Sequence, residues 1–147
     1  MPEIAFEKRT GKYDAMLVLE NGKWVETMVP KQAPILHDMF HYAVETVVSK
    51  RGFFHRRADG EGAGFRMAPE KVSEAVERLV ETIQADSWSG RPDPADVIEL
   101  FHTTCAARGD EPFAVTPEDI VAIRAVIDDL TERWAKVPVG GRLTLSV

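Results

Sequence analysis

The densest set of groups able to hold a metal ion or move a proton lies in His37-Asp38-Met39-Phe40-His41-Tyr42-Ala43-Val44-Glu45. His37, His41 and Glu45 are spaced four residues apart. On an α-helix each such step turns ~40° around the axis, so all three share about a quarter of the circumference. Two imidazoles at i and i+4 can bind one ion, the spacing used by helical zinc sites. Asp38 stands where zinc proteases of the His-Glu-x-x-His type carry their glutamate, but it is one methylene shorter and no third ligand follows at a familiar spacing. His37 and Glu45 lie ~12 Å apart along the axis, so one ion does not take all three. A remaining ligand must come from elsewhere. His102 and Cys105, a His-x-x-Cys pair, and His55 are the residues available. The metal candidates are thus His37, His41, Glu45 and His102, the ion a divalent transition metal, and the proton-handling candidates Asp38 and Glu45. The competing reading is structural: on the helical wheel His37 falls at the margin of an apolar stripe, where a histidine also serves to donate to a carbonyl. Cys105 falls on the apolar face of its own helix and reads as inert core.

A second constellation is basic. Lys50-Arg51-Gly52-Phe53-Phe54-His55-Arg56-Arg57 holds four formal positive charges and no acid, and Phe65-Arg66 follows a glycine-rich stretch, Asp59 to Gly64. Arginines interleaved with phenylalanines can bind phosphate or stack on bases, which makes Arg56, Arg57 and Arg66 ligand-binding candidates. Gly60-x-Gly62-x-Gly64 lacks the Lys-Ser/Thr ending of a phosphate loop. The structural alternative pairs these arginines with Glu70, Glu74, Glu77 and Glu81. Nucleophilic catalysis finds no support: there is no Gly-x-Ser-x-Gly, and Cys105 has no cationic setting. Trp24, Trp88 and Trp134 read as core or interface anchors.

These residues need a scaffold. The 147 residues carry 18 Lys+Arg and 24 Asp+Glu, a net charge of −6. The length suits a single domain, 1–147, with its own core. The acidic balance argues against a surface built for nucleic acid. One cysteine allows no internal disulfide, which fits a reducing cytoplasm. No apolar run approaches the ~20 residues that span a bilayer, and the N-terminus lacks the pattern of a signal peptide. No membrane partner is expected.

Residues 4–8, 13–20 and 23–29 read as strands. Asn21-Gly22 joins the last two, because both residues tolerate the positive φ of a type I′ hairpin turn. Pro30 and Pro34 stop the third strand. Helical spacing recurs over 35–50, from Pro69 to about Ser87, from Asp93-Pro94 to Gly109, and from Thr116-Pro117 to Trp134. In the last of these Ile120, Ile123, Ile127, Leu130 and Trp134 make one stripe. Residues 142–147 alternate as a final strand, which must pair with the N-terminal meander to satisfy its backbone. The expected fold is α+β: a four-stranded, mostly antiparallel sheet with four helices on one face.

The strings Gly11-Lys12-Tyr13-Asp14, Pro30-Lys31-Gln32 and His37-Asp38-x-x-His41-Tyr42-Ala43-Val44-Glu45 resemble small bacterial proteins of unassigned function. The resemblance covers roughly the N-terminal third and implies neither an activity nor site residues.

Two functional readings follow. The first is a small-ligand or metal site lined by the His37/His41/Glu45 face of the first helix and roofed by 53–68; as an enzyme this would be a metal-assisted hydrolase. The second is a non-enzymatic protein that binds a partner or polyanion through 50–66, or associates with itself through a sheet edge as a homo-oligomer. Because the balance of charge is acidic, single-stranded and duplex oligonucleotides titrated at low salt are expected not to bind at tens of micromolar. Binding that falls steeply with added salt, the signature of counterion release, would instead assign a polyanion to Arg56, Arg57 and Arg66.

Overall fold

A computed structural model of the chain describes residues 3–48 and 71–146. Its elements run β1 (Glu3–Glu7), β2 (Tyr13–Glu20), β3 (Lys23–Pro30), α1 (His37–Val48), α2 (Lys71–Trp88), α3 (Pro94–Arg108), α4 (Pro117–Ala135) and β4 (Arg142–Ser146). The four strands form one antiparallel sheet in the order β3-β2-β1-β4, and the architecture is α+β. The basic segment, with Arg56, Arg57, Arg66, His55 and the glycine-rich stretch, lies outside the described residues.

Turn chemistry sets the meander. Asn21 at φ 50° and Gly22 at φ 77° supply the two left-handed conformations of the hairpin. Glu20 then faces Lys23, and the register continues to Tyr13 opposite Pro30. β4 returns along β1, with Ile4 opposite Leu145 and Phe6 opposite Leu143. The ladder extends past the strand ends, since Lys8 N donates to Gly141 O at 3.0 Å and Gly140 N to Lys8 O at 2.7 Å.

Alternation sorts the two faces of the sheet. Ile4, Phe6, Met16, Val18, Leu143 and Leu145 enter the core with the helices. Ala5, Ala15 and Leu17 form a small second cluster on the opposite face. That face is roofed by charge: Arg9 bonds Glu7 and Glu26, and Arg142 Nε donates to Glu7 Oε1 at 3.2 Å.

The helices pack by their apolar stripes. Met39, Phe40, Ala43 and Val44 of α1, Val76, Leu79, Val80 and Ile83 of α2, Phe101 of α3, and the stripe of α4 are all buried. Thr116 and Asp119 complete a reciprocal capping box at the start of α4. Gly109, at φ 71°, closes α3 in the left-handed region. Asp93 precedes α3 but its side chain makes no capping bond, contrary to the reading of its sequence; the first turn bonds to its backbone carbonyl instead. Trp134 is core, whereas Trp24 and Trp88 are exposed. Both stand where no described element packs over them.

Two buried acids fasten the layers. Asp86 of α2 accepts both arms of Arg124 from α4, at 2.7 and 3.0 Å. Asp14 of β2 accepts from Arg9 N at 2.8 Å and from Lys31 Nζ at 2.5 Å, which anchors the connection into α1.

Leu130 is 1% exposed at the centre of the α4 stripe. Leu130→Ala should therefore destabilise the protein by ~2–5 kcal/mol, read as a lower urea midpoint with an unchanged slope. A midpoint equal to the parent would place the stripe against solvent.

Candidate metal centre

The site begins with what α1 must bury. His41 and Glu45 are 5% and 1% exposed. An ionisable group removed from water needs a partner, and each finds one within the helix: His41 Nδ1 donates to Glu45 Oε2 at 3.3 Å. His37, one turn earlier, donates from its Nδ1 to Gln84 Oε1 on α2. Both rings are thus held by their Nδ1 atoms, and both Nε2 atoms turn toward the same place.

That place is the carboxylate of Glu77, also on α2. His41 Nε2 lies 2.8 Å from Glu77 Oε2, and His37 Nε2 lies 3.6 Å from Glu77 Oε1. The two rings stand edge to face with centroids 4.9 Å apart. One ligand atom from each of His37, His41 and Glu77 lies within 4.8 Å of the other two. Ligands at ~2.0–2.2 Å from a zinc ion sit within about 4 Å of each other, so a small contraction suffices to enclose one ion.

No family model, curated protein or solved structure matches this chain. The chemistry of the site is therefore read from its geometry.

Charge at the centre is strongly coupled. Burial opposes a proton on His41, but Glu45 and Glu77 together outweigh it and raise its pKa to about 10. Burial would raise Glu77, yet hydrogen bonds from His37 and His41 hold its carboxyl well below the usual carboxylate range. Glu77 raises His37, against desolvation and the nearby charge of His41. Desolvation raises Asp38, which is half-buried beside His37 on the first turn of α1. Protons thus fill the space between the imidazoles and Glu77, and a cation competing for the same atoms must displace them.

The sequence candidates divide accordingly. His37 and His41 converge. Glu45 is buried next to them, but it grips the far nitrogen of His41 and is not among the three converging ligands. His102 lies exposed on α3, its ring 5.8 Å from that of Phe101, and does not join them. Cys105 is buried, and desolvation raises its thiol, as suits core. Arg56, Arg57 and Arg66 fall outside the described residues. Sequence reasoning missed Glu77 and Gln84 as site residues and placed Glu77 among arginine partners. A signal for both existed. They are seven residues apart, about 20° around the helix, on one margin of the buried stripe of α2.

One pair dominates the pH response of the metal-free protein. The folded pKa of His41 lies above its unfolded value, so the stabilisation is complete below pH ~6.5 and lost as pH rises toward about 10. On the acid side the Glu77 contribution is lost progressively as pH falls below its ordinary value of 4.5 toward its lowered folded value. In chelator-treated protein, the stability advantage over His41→Gln should therefore shrink steadily from pH 6 to pH 10. Parallel stability curves for the two proteins would show that folding leaves the pKa of His41 unshifted.

Proposed function

We propose that this protein works through a divalent transition metal held by His37, His41 and Glu77. The observation that carries the reading is the arrangement of the rings: each imidazole has its Nδ1 fixed by an acceptor, Gln84 or Glu45, while each Nε2 faces Glu77. Histidines that ligate metals are oriented in this way by acceptors on their second nitrogen. Two imidazoles and one carboxylate suit zinc and also iron, manganese or nickel, and leave coordination positions for water and a small molecule.

A bound ion with an open position would acidify a water molecule and polarise a carbonyl or phosphoryl oxygen. Metal-assisted hydrolysis of a small molecule is the reaction class this set supports. Glu45 is engaged by His41, so Asp38 is the carboxyl available to take a proton beside the centre. Its half-buried setting, which raises its pKa, is the kind that proton-transfer groups occupy. The single free cysteine agrees with work in a reducing compartment.

Elemental analysis and titration calorimetry with Zn, Mn, Ni and anaerobic Fe are expected to find one ion per chain. His37→Ala, His41→Ala and Glu77→Gln should each abolish stoichiometric loading with the far-UV spectrum unchanged. Glu45→Gln and Gln84→Ala should retain the ion but weaken its binding by ~10–100-fold. Protein that takes up none of the four metals, or a His41→Ala variant that keeps its ion, would overturn the assignment.

A further inference from the structure

β3 closes one side of the sheet, and among the described residues it pairs with β2 alone. It is eight residues long, and its register with β2 runs unbroken from Tyr13–Pro30 to Glu20–Lys23. Edge strands are normally guarded by bulges, proline or lysine, because an open row of N–H and C=O groups recruits another strand. Here Lys23 and Pro30 guard the two ends, and the one charge between them, Glu26, is paired with Arg9 of its own chain. Between them Trp24, Val25 and Met28 are 42%, 37% and 56% exposed.

The direction of the free backbone groups follows from one bond. Lys31 N donates to Lys12 O at 3.0 Å, so odd-numbered residues of β3 exchange bonds with β2. The N–H and C=O of Trp24, Glu26 and Met28 therefore point away from the sheet. Their side chains share its outer face.

We propose that two copies of this chain pair antiparallel through β3 about a two-fold axis at Glu26, joining their sheets into one. The row of free groups is symmetric about that residue. The axis sets Trp24 opposite the partner subunit's Met28, and Met28 opposite the partner subunit's Trp24. Each pair exchanges backbone bonds and adds a thioether–indole contact. Val25 falls opposite the partner subunit's Thr27 on the inner face. Glu26 meets its own copy, but each Glu26 already holds the Arg9 guanidinium of its chain, so the axis carries two acids and two arginines. Moving the register by two residues one way brings in Pro30, which has no N–H to donate. Moving it the other way draws the Asn21-Gly22 turn into the ladder. The match of this edge to itself favours a second copy over an unrelated peptide.

Sedimentation velocity of the full chain over a wide concentration range tests this. The expected result is a reversible dimer with a micromolar dissociation constant, as suits a small interface. Trp24→Lys and Met28→Glu should each weaken the dimer ~10-fold or more, and the double variant W24K/M28E should recover most of that loss. In the pairing described, lysine and glutamate then face each other across the axis; within one chain they are four strand residues apart, ~13 Å, too far to pair. Met28→Pro removes an outward N–H without touching the β2 ladder and should leave a folded monomer. A monomer at every concentration, single variants with the parent dissociation constant, or a double variant without recovery would each overturn the proposal.

Discussion

The contact between α1 and α2 carries the buried polar network on which the proposed function rests. α1 is buried around more of its circumference than a surface helix usually is. Met39, Phe40, Ala43 and Val44 enter the core, and His41 and Glu45 go in with them. Ionisable groups withdrawn from water cost several kcal/mol each unless they are paired. The margin of α2 supplies the pairing through Glu77 and Gln84. Five polar side chains from two helices thus form one network. The rest of the fold holds these helices in register. Asp86 and Arg124 tie α2 to α4, and Asp14 and Lys31 hold the connection into α1 against the sheet.

On the proposed reading the same network would have two occupants. With protons, polar contacts run from Glu45 through His41 to Glu77, and His37 stands 3.6 Å from the same carboxylate. With a metal ion, the Nδ1 bonds to Glu45 and Gln84 would remain and only the Nε2 protons would leave. The change is confined to the space between three ligand atoms, so the surrounding side chains need not rearrange. This distinguishes the arrangement from an ordinary boundary histidine, for which one bonded nitrogen is enough. Here both nitrogens of both rings face polar atoms, and one pair of them faces a common point.

Much of the scaffold was legible because it rests on local chemistry. Asn21-Gly22 determines a hairpin whatever lies beyond it, and Thr116 with Asp119 starts a helix from four residues. The α4 stripe reads directly as core. The site was legible by half. His37 and His41 share a helix, so their spacing reveals them. Glu77 and Gln84 come from another helix 36 and 47 residues further on; their shared place at the margin of the α2 stripe is legible, but not which helix that margin faces. Asp93 failed in the same way: its sequence suits a capping residue, but its side chain makes no capping bond. Trp24 and Trp88 show that size and apolarity do not by themselves place a residue inside. Burial needs a neighbour, and the edge position of β3 supplies none on its outer side among the described residues.

The division of labour between Glu45 and Glu77 follows from helix geometry. A carboxylate four residues after His41 sits ~6 Å further along the axis. From there it reaches the ring nitrogen nearest its own turn, Nδ1, and lies on the wrong side of the imidazole to share an ion at Nε2. A third ligand has to approach from across the groove. Glu77 does so, which means the ion would bridge two helices that the His41–Glu77 and His37–Gln84 contacts already join. An ion bound only by the folded arrangement stabilises it by mass action. Removing the metal would thus loosen the α1–α2 contact as well as empty the centre. The protons that replace it limit the loss, because His41 and Glu77 in their charged forms attract each other across the same groove.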